Sequence, residues 1–133
     1  MGRGNDTFQE FVVHSTPPPA AMGTYTLADI ERRLAAFQAD TSPSESVERV
    51  AAVAMVLRHG PTGGLETLFM KRSDQEGDPW SGQMAFPGGH VEKTDASIEA
   101  AARRETFEEV GLRLTEDMVI GRLSDIAGGR LRT

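Results

Sequence analysis

Three carboxylates, Glu105, Glu108 and Glu109, fall within a single run, Arg104-Glu105-Thr106-Phe107-Glu108-Glu109-Val110-Gly111-Leu112. On a helix turning about 100° per residue, Glu109 lies about 40° round from Glu105, and Glu108 about 60° to the other side. Their charges repel, and nothing in the helix itself requires them together. A divalent cation would relieve that repulsion, because hard cations take oxygen ligands. Ile98, Ala101 and Ala102 project on the same face, so the acidic cluster continues a small apolar stripe. Solvated charges usually lie opposite such a stripe, whereas carboxylates at its end point to a partly enclosed site, where ionised groups are costly unless paired or metal-bound. The competing reading is a solvated acidic helix end with Arg103 and Arg104 as counterions. The Pro87-Gly88-Gly89 turn just upstream, together with the glutamate spacing, favours the site.

The elements that must position these groups come from one domain. A chain of 133 residues is of ordinary single-domain size. Its 38% hydrophobic and 26% charged content describe a globular protein and exclude a disordered one. A net charge of −6 argues against nonspecific binding to nucleic acid or an anionic membrane. It leaves an anionic small substrate open, since a bound metal inverts the local field. The lack of cysteine removes disulfides, thiolate zinc sites and a cysteine nucleophile. With no secretory or membrane-spanning apolar run, a cytoplasmic protein is the default expectation.

Residues 1–25, with Pro17, Pro18 and Pro19, read as a flexible leader, and Met22 as an alternative start. The domain then runs over 26–133. Thr26 is a good N-cap with Asp29 three positions on, opening a helix that should end near Asp40, with Leu27, Ile30, Leu34 and Phe37 on one face. The apolar run 49–58 reads as a buried strand, its alanines leaving a helix open. Turn residues 59–64 should join it to an antiparallel strand over 65–72, making a hairpin. His59 reads as a turn residue. Residues 73–83 form a loop in which Trp80 is either a ligand-stacking surface or a loop anchor. A short strand over 84–86 leads into the Gly-Gly turn, where glycine permits close backbone approach. Asp95 is the expected N-cap of the acidic helix and Gly111 its C-terminal stop. Ala96, Ala100, Phe107 and Val110 lie on the helix side away from Ile98 and Ala102, which suggests a helix covered on two sides. Residues 118–123 read as a further strand.

The stretch 89–112 resembles the Nudix box of the Nudix hydrolases, G-x5-E-x7-R-E-U-x-E-E-x-G-U with U aliphatic. Arg104 to Leu112 matches the second half, with Thr106 at an aliphatic position. The first half is shifted: counting from Gly89, the sixth following residue is Asp95, and one extra residue separates it from Arg104. That extension, after Phe86-Pro87-Gly88-Gly89, is similar to the coenzyme A diphosphatase branch. The branch's upstream R-x3-G-x3-FPGG pattern is half met, with Gly82 in place and Asp78 where arginine would stand.

The resemblance implies an α/β/α sandwich with a mixed sheet. It also implies hydrolysis of a diphosphate linkage in a nucleoside diphosphate derivative, coenzyme A or its acyl derivatives among them, using Mg2+ or Mn2+. Glu105, Glu108, Glu109 and Arg104 take the catalytic roles, and Glu105, Glu109, Glu108 and the Gly89 carbonyl the metal. Arg104 can pair with Glu108 at i,i+4 and hold it. Gly88, Gly89, Arg72 and Trp80 are the candidate substrate contacts. A general nucleotide or nucleotide-sugar diphosphatase, or a non-catalytic binding module of the same fold, are the alternatives. Only 21 residues follow Leu112, whereas the family's fold takes further strands and usually a helix after the box. The expectation is therefore a sheet incomplete at the C-terminus, and a chain that is marginally stable or pairs with a second copy.

Overall fold

The computed structural model describes residues 8–14, 25–79 and 81–127, the first segment as backbone. Trp80, the three prolines and Met22 lie outside the described residues. The chain is an α/β fold with the order β1 (Phe8–His14), α1 (Leu27–Ala36), α2 (Ser42–Glu45), β2 (Ala51–Val53), β3 (Leu57–His59), β4 (Leu65–Arg72), β5 (Met84–Ala85), β6 (Gly88–His90) and α3 (Ile98–Val110), followed by a 3-10 turn over Glu116–Met118. No helix among the described residues is long and apolar enough to cross a membrane.

The hairpin forms as expected, but its turn is shorter: His59, read as a turn residue, is the last residue of β3. β3 and β4 pair antiparallel with Leu57 opposite Thr67 and His59 opposite Leu65. Across the turn, the Gly60 N–H donates to the Gly64 carbonyl at 2.7 Å. β4 is the spine of one sheet, paired with β1 along one edge and with β3 and then β5 along the other. β2 and β6 form a second, two-stranded sheet, and every pairing among the described strands is antiparallel.

Several sequence expectations change here. Residues 8–14, read as part of a flexible leader, pair with β4 from Phe8–Arg72 to His14–Thr67. The run 49–58 is not one strand but two, because the chain changes partners in its middle. The Ala54 N–H still donates to Pro87 beside β6 at 2.8 Å, whereas the Val56 carbonyl already accepts from Leu68 of β4 at 3.0 Å. Thr26 does cap α1, in a reciprocal capping box with Asp29, but the helix stops at Ala36, before Asp40. Gly88 and Gly89 belong to a strand and not to a turn: Ala52 faces Gly89 and Val53 faces Gly88. A Cβ on Gly88 would stand 2.2 Å from the Ala52 carbonyl oxygen, so that close pairing requires glycine. The N-cap of α3 is Ser97, which accepts from the Ala100 N–H at 3.0 Å. Residues 119–123 form no strand; instead Gly121 lies against Leu34 of α1, and the Asp125 N–H donates to the Asp40 carbonyl at 2.9 Å.

The core under the acidic helix is small. Ala101 and Ala102 of α3 pack on Ala52 of β2, with Ala54, Val91 and Ile98 around them. Short side chains on both surfaces bring helix and strand close together, which sets where the glutamates can reach. Among the described residues, the outer side of α3 is only partly covered, where the sequence suggests a full second layer. Phe107 is half exposed, and the Arg113 guanidinium sits over its ring at 4.6 Å.

Candidate active site

The acidic helix is held at both ends by its own sequence. Ser97 satisfies an orphan N–H of the first turn, and Glu99 adds negative charge at the positive end of the helix dipole. Gly111 ends the helix in the left-handed conformation, at φ 73°, with its N–H on the Phe107 carbonyl. Thr106, at the position where the box has an aliphatic residue, is fully buried. It is tolerated because its hydroxyl donates to the Ala102 carbonyl at 2.7 Å.

With Ala101, Ala102 and Thr106 turned toward the sheet, Glu105 and Glu109 emerge at the border of the buried face. A Cβ built on Gly89 would lie 2.5 Å from the Glu105 carboxyl carbon and 2.7 and 2.8 Å from its two oxygens. The carboxylate therefore rests directly on the Gly89 backbone. Glu109 is tied to the next glycine, accepting the Gly88 N–H at 2.9 Å. Burial pushes the Glu109 carboxyl up to about 7; the Gly88 hydrogen bond and the Arg72 charge oppose that shift, and the neighbouring Glu105 and Glu108 charges add to it. Glu108 points outward, its side chain 55% exposed.

Arg104 joins these groups to the strand. Its guanidinium reaches Glu108 at 3.2 Å, as the i,i+4 spacing predicts, and also Glu105 at 3.1 Å and the His90 carbonyl at 3.1 Å. Its shortest contacts are a two-pronged pair with Asp95, at 2.8 and 2.9 Å. Asp95 thus departs from the expected capping role. Its side chain is nearly buried, and the Arg104 hydrogen bonds, with help from the Glu92 N–H, hold its carboxyl down at about 2. The pairing of Asp95 with Arg104 is the contact of this site that the sequence reading missed. The spacing of nine positions from Asp95 to Arg104 was visible, but an acidic residue just before the helix was equally accounted for as a cap.

Arg72, a candidate substrate contact, ends β4 and pairs with Asp78 at 3.1 Å. Its positive charge opposes the upward shift of the Glu109 carboxyl. Gly88 and Gly89 stand beneath the glutamates, so six of the predicted groups, these two with Arg104, Glu105, Glu108 and Glu109, are brought to one locality. Trp80, outside the described residues, is not placed.

The donor chemistry fits a hard divalent cation: all the side-chain donors are carboxylate oxygens, and one of them is half-buried among like charges. Among the described residues, however, no three His, Asp or Glu side chains stand close enough together to hold an ion as they are. Arg104 draws Glu105 and Glu108 toward itself.

Comparison with known proteins gives consistent results. Residues 48–130 match the NUDIX domain. An uncharacterized Nudix hydrolase NudL of Escherichia coli O157:H7 is 38% identical over 101 residues, covering 76% of this chain and 51% of that protein. The NudL of Cronobacter sakazakii is 40% identical over 100 residues, covering 73% of this chain and 50% of the relative. An uncharacterized protein of Schizosaccharomyces pombe is 48% identical over 50 residues, covering 38% of this chain and 15% of its own length. The chain spans about half the length of the NudL relatives it matches. No solved structure gives a significant match.

Proposed function

Since this chain belongs to the NUDIX domain family, we propose that it hydrolyses a diphosphate linkage in a nucleoside diphosphate derivative, with Mg2+ or Mn2+ held on the acidic face of α3. The observation that carries the reading is the seating of Glu105 and Glu109 on the backbone of Gly89 and Gly88. That contact fixes two carboxylates beside a strand edge, where a loose helix end would leave them free in solvent. Glu105, Glu109 and Glu108, with the Gly89 carbonyl, are the groups that would hold the metal. When bound, it would neutralise the phosphate charge and lower the pKa of a water.

The chain's own groups do the rest. The Gly88 N–H anchors one Glu109 oxygen and leaves the other available. Arg104, clamped by Asp95 and the His90 carbonyl, limits where Glu105 and Glu108 can swing. Arg72 adds positive charge that acts on Glu109 and would favour the approach of an anionic substrate. Among substrates, coenzyme A derivatives are favoured by the Phe86-Pro87-Gly88-Gly89 run and the extra residue before Arg104. The structure offers a use for the register of that region, since it puts Asp95 in reach of the Arg104 fork. A non-catalytic binding module is the competing reading, and the engagement of Glu105 and Glu108 by Arg104 is the feature in its favour.

The test is a panel of coenzyme A, nucleotide sugars, nucleoside triphosphates and a simple phosphomonoester, assayed with Mg2+ or Mn2+ and with a chelator. Cleavage confined to the diphosphate compounds and abolished by the chelator supports the proposal. Binding without any turnover in the full panel supports the module.

A further inference from the structure

Helices α1 and α2 are held from a distance. Among the described residues, neither packs extensively on a strand or on α3. They are ten and four residues long, below the roughly 12–15 residues at which an isolated helix becomes even marginally stable in water. α2 also lacks a local cap, since the Thr41 side chain at its N-cap makes no capping hydrogen bond. The chain that leaves α3 supplies what is missing. Asp125 accepts the Ser44 N–H in the first turn of α2 at 3.1 Å on one carboxylate oxygen, and the Arg122 guanidinium at 2.7 Å on the other. The same Arg122 nitrogen reaches the Ser44 hydroxyl at 3.3 Å.

Backbone bonds and one close apolar contact complete the attachment. Asp40, between the two helices, is bonded through both of its backbone groups. Its carbonyl accepts the Asp125 N–H at 2.9 Å, and its N–H donates to the Ser124 hydroxyl at 3.0 Å. The Asp40 side chain in turn accepts the Ser42 N–H at 3.0 Å and the Ser42 hydroxyl at 2.7 Å, fixing the start of α2. Gly121 lies against Leu34 of α1, where a Cβ would stand 2.9 Å from the Leu34 Cβ and 3.0 Å from its Cδ1. Residues 121–125 therefore grip α1, α2 and the connection between them. No residue of either helix is fully buried, so these polar bonds carry a large share of the attachment. Few buried apolar contacts and exposed hydrogen bonds are the marks of a segment that opens locally.

We infer that residues 121–125 are a latch that closes α1 and α2 into one unit, which opens and shuts separately from the sheets and the acidic helix. Asp125 is its central residue, because its two oxygens join Arg122 of the latch to Ser44 of α2 while its N–H holds Asp40. The latch goes beyond the diphosphatase reading and does not depend on it. Closed, it fixes the path of the chain that leaves the helix carrying Glu105 and Glu109. Open, it releases two helices too short to persist alone. The core of Ala52, Ala101 and Ala102, which none of these bonds touches, stays folded.

The experiment is amide hydrogen exchange on the full chain, for wild type, Asp125→Ala, Asp125→Asn and Gly121→Ala. Losing the charge-assisted bonds of Asp125 should speed exchange over residues 27–45 by at least about tenfold in Asp125→Ala. Asp125→Asn should speed it less, because one acceptor oxygen remains. Gly121→Ala should act in the same direction, by pressing on Leu34. Exchange in β2, β6 and α3 should stay at the wild-type rate in all three variants. Unchanged exchange over 27–45 in Asp125→Ala and Gly121→Ala would overturn the inference, as would a wild type whose α1 amides show no protection. An equal rise in α3 and β2, or outright unfolding of Asp125→Ala, would show a single cooperative unit and overturn it as well.

Discussion

Two adjacent glycines lie under the acidic helix, and the structure predicts opposite consequences for replacing them. At Gly89 the atoms nearest an added Cβ are the end of one side chain, the Glu105 carboxyl group, at 2.5 to 2.8 Å. Restoring ordinary contact requires a movement on the order of 0.5–1 Å, which a glutamate terminus can make by rotation. Gly89→Ala should therefore fold with little loss of stability but with Glu105 pushed off its seat. Misplacing a reacting or charge-bearing group by about 1 Å costs on the order of 100-fold in turnover. At Gly88 the added atom would meet backbone: the Ala52 carbonyl oxygen at 2.2 Å and the Val53 Cα at 2.6 Å. Neither can yield without separating β2 from β6, so Gly88→Ala should lose stability by about 1–3 kcal/mol, the usual range for overpacking a tight site. That corresponds to a melting temperature lower by several degrees. The assay is a thermal melt of each variant alongside metal-dependent release of phosphate or nucleotide from whichever diphosphate compound the wild type cleaves. Full turnover in Gly89→Ala at an unchanged melting temperature would refute the claim that the Gly89 backbone positions Glu105.

Other expectations follow from the clamp and the caps. Asp95 has a folded pKa near 2, below the ordinary value of 3.8. Its pairing with Arg104 therefore stabilises the fold above about pH 4 and is lost as the pH falls toward 2. Melting curves of wild type and Asp95→Asn should accordingly differ most near neutrality and converge in acid; a constant gap between pH 6 and 2 would contradict the ionic clamp. Ser97→Ala removes the bond to the Ala100 N–H and should cost about 1 kcal/mol in denaturant unfolding. The control Asp95→Asn should leave amide exchange in the first turn of α3 unchanged, since Ser97 is the cap. Gly111→Ala puts a side chain at φ 73° with nothing nearby to clash, so its cost of about 1 kcal/mol is purely conformational. A stabilising effect there would show that the helix end had rearranged.

The acidic half of the site was readable from spacing, because a helix places residues by periodicity alone. Glu105, Glu109 and Arg104 sit on one another's neighbours as 100° steps require, and Gly111 stops the helix where glycine is favoured. The strand half was not readable in the same way. Nothing within residues 49–58 marks the point where the chain leaves β6 for β4, since both halves are apolar and the partners come from elsewhere. Gly88 and Gly89 carry turn propensity, and only contact with Ala52 and Glu105 turns them into a strand that requires glycine. Asp95 and Ser97 are both competent caps, and the choice between them was made by Arg104, whose fork takes Asp95 for itself. Residues 119–123 are apolar enough for a strand, yet no strand among the described residues pairs with them. Val119 and Leu123 remain exposed.

The central claim is that the carboxylates seated on Gly88 and Gly89 carry the chemistry. Glu105→Gln keeps the size of that side chain and one acceptor oxygen while removing its charge. Turnover of a diphosphate substrate should be measured as a function of Mg2+ or Mn2+ concentration for wild type and Glu105→Gln, with melting temperatures matched. The account predicts metal-dependent hydrolysis by the wild type and a loss of at least about 100-fold in the variant. Hydrolysis by Glu105→Gln at the wild-type rate, with the same metal dependence, would contradict it.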